Sequence, residues 1–321
     1  MVAELLRSEL NGTERARMWD PEGLEYPPLP EYQQVHLSHT TVWRWLQEAG
    51  RRANKVENRY GEIRQSGIWA ADSTLSKVKG QYVAVLGVAD AVSRVVFEIV
   101  RIAAESEEEV LKKFARLRRF GADTKTIRGL VSDGADAYRL LVEGVMKRTV
   151  HQRCVFHLWR NIGPSIRSLK AINGEEAAET FKKAVRGVWD ARGYEEAKRA
   201  LETLVEEWSE EALVAPALVV IQASFEEAVA HLKGGVPGMP RTSNVVEWLW
   251  QAYKRRLRIM GQLMSDKGQA SFDGVWTLHA SFNRYQKRKE RKRRVNNPGH
   301  CPLEMAGETV GELCWMDVLA I

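Results

Sequence analysis

Cysteine is scarce in this chain. The three present, Cys154, Cys301 and Cys314, form no Cys-x-x-Cys pair and no even set, which excludes a zinc ribbon and a disulfide framework and points to reduced thiols. Long apolar runs are missing as well. The longest uncharged stretch, Ala212 to Phe225, is interrupted by Pro216 and falls short of the ~20 residues a membrane-spanning helix needs, so no membrane partner is expected. The N-terminus crowds Glu4, Arg7, Glu9 and Asn11 together and lacks the charged-then-apolar layout of a secretory signal, so a cytoplasmic protein is expected. Neither Gly-x-x-x-x-Gly-Lys-[Ser/Thr] nor Gly-x-Gly-x-x-Gly occurs, which removes phosphate-loop motors and dinucleotide enzymes from consideration. There are no repeats and no low-complexity segments beyond one basic run.

That run is the first positive feature. Lys287, Arg288, Lys289, Arg291, Lys292, Arg293 and Arg294 surround a single acid, Glu290. Together they sum to +6, the net charge of all 321 residues, so the rest of the chain is neutral. A block of this density is either a solvated tail or a phosphate-binding arm. Nearer the N-terminus, after Pro27, Pro28 and Pro30, Leu37 to Gly50 reads as a short helix with Ser38 as cap and Gly50 as stop. Val42, Trp45, Leu46 and Ala49 recur at i, i+3, i+4 and i+7 as its packing face, leaving Thr40, Thr41 and Arg44 outside. This resembles the recognition helix of a helix-turn-helix module; the alternative is an ordinary amphipathic connector.

Gly67 to Leu75 reads as a buried strand, because Ile68, Trp69, Ala70 and Ala71 are apolar without alternation, and it ends in a carboxylate, Asp72. An ionised Asp there is costly unless hydrogen bonds or a cation compensate it. Alternation puts Asp72 on the side of Ala70 and Thr74, with Trp69, Ala71 and Ser73 opposite. A five-residue connection, Ser76 to Gly80, leads to strands at Gln81 to Ala89 and Arg94 to Ile102. Ser106-Glu107-Glu108-Glu109 opens a helix as a capping box. Ile127 to Ser132 is a fourth apolar strand, followed by Asp133 and Gly134, and Val150 to Val155 is a candidate fifth. From Ser165 to about Lys233 the pattern is helical, with eleven acids against six bases between Glu175 and Glu211. The last long helix opens at Thr242-Ser243-Asn244. Val246, Trp250, Tyr253 and Leu257 form its buried stripe, and Glu247 heads a row with Gln251, Lys254 and Arg258. Glu247 is a candidate catalytic acid or simply a helix-start glutamate favoured by the dipole.

If the first and fourth strands are neighbours, Asp72 and Asp133 meet and a helix across them supplies Glu247. Close carboxylates repel unless a cation intervenes, and oxygen donors suit magnesium. Two such ions suit in-line phosphoryl transfer. Cys154 and His157 form a Cys-x-x-His pair, half the set a structural zinc uses, and the next candidates, His300 and Cys301, lie far along the chain. Trp159 and Arg160 suit DNA contact or packing alike.

Four stretches in this order, Ala71-Asp72-Ser73-Thr74, Val131-Ser132-Asp133-Gly134, Cys154-Val155-Phe156-His157 and Thr242-Ser243-Asn244-Val245-Val246-Glu247, give the chain from about residue 67 to 285 its family likeness. It resembles the Mutator-type DDE transposases of prokaryotic insertion sequences. The resemblance implies an α/β fold, a ribonuclease-H-like mixed five-stranded sheet flanked by helices, with an all-helical insertion before the catalytic glutamate. It also implies a division into a helical N-terminal region (1–66), a core in two parts (67–164 and 236–285), the insertion (165–235) and a basic C-terminal tail (286–321). Asp72, Asp133 and Glu247 are then expected to hold two magnesium ions, with manganese as substitute, and His157 to lie near the scissile phosphate. On this likeness a packing Cys154 with a phosphate-facing or positioning His157 is the favoured reading, and a satisfied core histidine is the alternative. The activity implied is cleavage of transposon-end DNA and strand transfer into target DNA, by a homodimer assembled on double-stranded DNA in the nucleoid. DNA contacts are expected from Lys254, Arg255, Arg256, Arg258, the basic run and the helix at Thr40. A transposase that only binds DNA and a structure-selective nuclease on the same fold are the alternatives.

Overall fold

Ile68, Trp69, Ala70 and Ala71 are all buried, and they place this segment in the middle of a sheet. The computed structural model describes residues 39–53, 55–56, 63–103, 106–284, 299–311 and 313–320. The proline-broken region, the Ser38 cap and the basic run 287–294 lie outside the described residues. In chain order, α1 (His39–Ala53) precedes a meander of β1 (Ile68–Val78), β2 (Gln81–Asp90) and β3 (Val96–Ile102). Then come α2 (Glu107–Ala115), β4 (Gly129–Ser132), α3 (Asp136–Gly144) and β5 (Val150–Arg153). The helices α4 (Val155–Trp189), α5 (Tyr194–Trp208) and α6 (Ala215–Ala228) follow, then α7 (Asn244–Met260), α8 (Asp266–Phe282), α9 (Pro302–Met305) and α10 (Trp315–Ala320).

The strands form the expected mixed sheet in the order β3-β2-β1-β4-β5. The meander is antiparallel, whereas β4 runs parallel to both β1 and β5. Because successive side chains leave opposite faces of a strand, the sheet builds two cores. Trp69, Ala71, Leu86, Val88 and Phe97 meet Val110 and Phe114 of α2 and Tyr138 of α3 on one face, where the Trp69 ring lies 4.8 Å from that of Phe97. Ala70, Val85, Ala89 and Ile99 meet Val246, Trp250 and Tyr253 of α7 and Phe272 of α8 on the other. Asp72 belongs to the α7 face, as alternation requires. The insertion helices carry a core of their own, with Leu158, Ile162, Phe181, Trp189, Leu204 and Ile221 inside it. Beyond the basic run the chain returns to the main core through Cys301, Leu303, Val318 and Leu319, and Arg284 holds Glu304 by two bonds of 2.8 Å.

Several local expectations need correction. β1 does not end near Asp72; it continues to Val78 and turns through Lys79 (φ 50°) and Gly80 (φ 81°). This is a two-residue connection with both φ positive, the form that matches strand twist, rather than a five-residue one. Gly50 does not stop α1, which runs to Ala53. Its role is close approach: a Cβ at Gly50 would lie 2.5 Å from the Cα of Ser271 on α8. The packing face is therefore Val42, Leu46, Ala49, Gly50 and Ala53, and Trp45, at its margin, stays 44% exposed. Helix α4 starts at Val155, not Ser165, and Pro164 sits inside it. A further long helix, α8, follows the one bearing Glu247. At α2, Ser106 Oγ accepts from Glu109 N at 3.5 Å, but the Glu109 carboxylate accepts from Ala103 N instead of closing the box.

Between α7 and α8 lies a buried acid that the sequence reading passed over. Asp273 Oδ1 accepts from the Tyr253 hydroxyl at 2.7 Å, while its Oδ2 has no hydrogen-bond partner among the described residues. Burial pushes the Asp273 carboxyl up to about 8. An unfolded Asp titrates near ~4, so between these values the native state holds a proton that the unfolded state has lost. Stability is then fully present below about pH 4 and falls by up to ~1.4 kcal/mol per pH unit as pH rises toward the native value. Asp273→Asn, which cannot ionise and still accepts from Tyr253, is expected to raise the urea midpoint at pH 8 and to change it little at pH 4. Equal effects at both pH values would contradict this account.

Candidate active site

The site grows from the point where β1 changes partners. Ala70 pairs with Val131 as the last parallel contact between β1 and β4, while β1 continues beside β2, with Asp72 opposite Gly87. Asp72 is thus mid-strand on one side and just past the end of its neighbour on the other. It is only 6% exposed. Asp133 follows the last residue of β4, and its Oδ1 accepts from Ala135 N at 2.9 Å, a local turn that fixes the carboxylate. Gly134 permits that turn: its φ is +85°, and a Cβ would lie 2.4 Å from Arg153 Nε.

Two helix starts close the site. Cys154 joins β5 to α4, donating its N–H to Ser132 O at 2.7 Å, and His157 sits in the first turn of α4. Glu247 occupies the first turn of α7. Its Oε1 accepts from the Cys154 thiol at 3.7 Å and lies 3.5 Å from His157 Nε2. The thiol in turn accepts from Ser243 N at 3.3 Å, and Val155 N donates to Arg241 O at 3.0 Å. The two helix starts are therefore tied together through Cys154.

Ligand atoms of Asp72, Asp133 and His157 all lie within 4.8 Å of one another, and so do those of Cys154, His157 and Glu247. His157 belongs to both groups. Glu247 does not join the aspartate pair within that distance: its carboxylate is turned toward the thiol. Burial pushes the Glu247 carboxyl up, against the Cys154 hydrogen bond and Arg160. Burial pushes His157 down, with Asp133 opposing and Arg160 reinforcing, so the imidazole is neutral at pH 7 and offers a lone pair. Burial also pushes the Cys154 thiol up, which keeps it a donor. Two carboxylates and a neutral imidazole form a donor set that fits a divalent cation. A structural zinc needs a fourth protein ligand, and His300 and Cys301 join neither group.

The other sequence-predicted residues fall into three sets. Lys254, Arg255 and Arg258 are exposed along α7, with Arg256 half-buried. Thr40 and Arg44 are exposed on α1, with Thr41 half-buried; a hollow of about 420 Å³ beside Arg44, lined by Trp43, Arg51 and Lys267, is separate from the carboxylates. The seven bases of the run 287–294 lie outside the described residues. Trp159 is a packing residue, edge-on to Trp189 at 4.8 Å, whereas Arg160 is exposed and close enough to influence both Glu247 and His157. Sequence reading missed one chain behind β4. Ser132 Oγ is 2.8 Å from His151 Nε2, and His151 Nδ1 is 3.8 Å from Glu227 Oε1 on α6. Nothing in the spacing of these residues signals it.

A mixed sheet in this order, with one acid inside β1, a second just past the adjoining end of β4 and a third on a helix across the same face, defines a ribonuclease-H-like α/β protein. Within that class the chain belongs to the Mutator family of transposases: the family model described as Transposase, Mutator family, matches residues 57–269, more than half of the 321 residues. It is a DNA-processing enzyme by family. No curated protein matches the chain.

Proposed function

We propose that this transposase cleaves transposon-end DNA in a divalent-metal-dependent reaction and transfers the freed strand into target DNA. The observation that carries this reading is the convergence of Asp72, Asp133 and His157 within 4.8 Å. Asp72 and Asp133 would hold the cation, and Glu247, whose carboxylate accepts from the Cys154 thiol, would turn toward them to complete a two-ion site, with magnesium as the natural metal and manganese as its substitute. Bound there, the metal supplies the Lewis acidity that activates the attacking oxygen and stabilises the leaving oxygen of an in-line displacement. The chain's own contribution is placement. The turn at Asp133 fixes one carboxylate, the Cys154 thiol orients the Glu247 carboxylate, and the neutral imidazole of His157 stands between the two groups, near the scissile phosphate.

The same reading assigns DNA contacts to Lys254, Arg255, Arg256 and Arg258, to Lys287, Arg288, Lys289, Arg291, Lys292, Arg293 and Arg294, and to Thr40, Thr41 and Arg44. It keeps 67–164 and 236–285 as the catalytic core and 165–235 as the insertion, and within 1–66 and 286–321 it assigns DNA contact to the residues just named, while Ala53, Cys301, Leu303, Val318 and Leu319 belong to the main core. A homodimer on DNA, acting in the prokaryotic nucleoid, brings two ends together. The test is incubation of the protein with DNA carrying element ends plus a target plasmid. Nicked and joined products are expected with magnesium or manganese and none with EDTA. Nicking without joining points to a nuclease, and binding without nicking to a DNA-binding protein; either outcome removes the proposal.

A further inference from the structure

Two large aromatic side chains beside the site face water. Phe156 is 45% and Trp248 48% exposed, although burying such a ring is favourable. The chain does bury its other aromatics nearby. Trp250, two residues on, is 4% exposed, and Trp189 is fully enclosed. Phe156 and Trp248 immediately precede His157 and follow Glu247, in the first turns of α4 and α7. Those turns are joined by the Cys154 thiol and the Val155–Arg241 bond, so both rings sit on the two tied helix starts that carry His157 and Glu247.

What surrounds them is basic. On α4, Arg160 lies one turn beyond Phe156, exposed, with no ion pair among the described residues. On α7, Gln251 and Arg255 continue the face of Trp248 at i+3 and i+7, both exposed. Each helix therefore presents an aromatic followed by a cation. This is the pairing that holds single-stranded nucleic acid, ring against base face and guanidinium against phosphate. A protein partner would not call for guanidinium groups, without ion pairs among the described residues, one turn beyond one ring and two turns beyond the other, and bases within a duplex have no free face to offer.

We infer that Phe156 and Trp248 form a stacking platform for unpaired bases of the strand being processed, with Arg160 and Arg255 on its flanking phosphates. The inference rests on the reading of the carboxylate cluster as the DNA-processing site. It makes local opening of the duplex end a condition of productive binding, because an unpaired or frayed nucleotide costs least to extrude.

Binding of the full-length protein in EDTA tests it with two probes of one sequence: a blunt 30-base-pair duplex, and the same duplex with three unpaired nucleotides at one end, one of them 2-aminopurine. The forked probe is expected to bind about tenfold tighter, within the ~1–3 kcal/mol that stacking one base contributes, with its fluorescence quenched. Phe156→Ala with Trp248→Ala is expected to lose both the preference and the quenching and to keep blunt-duplex affinity. Phe156→Tyr with Trp248→Phe is expected to retain them, which separates loss of a stacking face from misfolding. Equal binding of both probes by the wild-type protein overturns the inference. So does an unchanged preference in the alanine variant, or a loss of blunt-duplex affinity as large as that of forked-probe affinity. Because no cleavage is read, these outcomes are independent of metal-dependent nicking, whose absence counts against the catalytic reading instead.

Discussion

Asp72→Asn is expected to remove DNA cleavage and joining while leaving the fold and DNA binding in place. The substitution keeps the size of the side chain and one oxygen acceptor and removes only the charge. Changing an outer partner of a metal ligand commonly costs about 10- to 100-fold, so loss of the ligand charge itself should cost more than about 100-fold in rate. Stability should change little, because the amide keeps the volume of the side chain and one oxygen acceptor at a position only 6% exposed, and a desolvated charge is lost with the carboxylate. DNA affinity measured in EDTA should hold or rise, since one negative charge near the phosphate is gone. Asp133→Asn should behave alike, its amide oxygen still able to accept from Ala135 N. The pattern to look for is inactivity at an undiminished urea midpoint. Cleavage within tenfold of wild type would remove Asp72 from the catalytic set.

Much of this site is written in short apolar runs that stop at an acid. Ile68 to Ala71 and Leu130 to Ser132 are buried on both faces, and that burial makes the charge at each end conspicuous in the sequence. The stripe Val246, Trp250, Tyr253 and Leu257 is likewise a direct consequence of helical period, and all four are buried. Failures came where long-range packing overrode a local signal. Pro164 in a helix interior costs about 3 kcal/mol, yet α4 passes through it because Leu158, Ile162, Ile166 and Leu169 form one continuous buried stripe. Ser76 and Lys77 have poor strand character, and only their pairing with Val83 and Tyr82 keeps β1 extended. Asp90, fully buried, is accounted for by bonds from Ser66, Val92 and Ser93, so it closes a turn. Val92 and Ser93 are local partners, but Ser66, which donates twice to Oδ2, lies 24 positions away, and no spacing in the sequence signals that hold. The hold of Cys154 on Glu247 spans 93 positions and has no local signature.

The contact between β2 and α7 supplies the second large effect. Gly87 is the cross-strand partner of Asp72, on the face covered by α7. A Cβ there would lie 2.6 Å from Trp250 Cζ2, 2.9 Å from its Cη2 and 3.3 Å from Val246 Cγ1. The indole therefore rests directly on the glycine backbone, and the need for Gly is one of space. Gly87→Val adds three carbons where one already collides, and α7 must move off the sheet or Trp250 must leave its rotamer. Overpacking of a filled core costs typically 1–3 kcal/mol and sometimes more; with a whole helix displaced, a loss of about 3 kcal/mol is expected in urea unfolding. Activity should fall further than folded fraction, because the displaced helix carries Glu247 one turn before Trp250. Gly87→Ala combined with Trp250→Phe, which returns part of the space, should be more stable than Gly87→Ala alone, a coupling that a double-mutant cycle reads directly. If Gly87→Val unfolds at the wild-type urea midpoint, α7 does not seat on β2 through Trp250. The placement of Glu247 beside Cys154 and His157 then loses its structural basis.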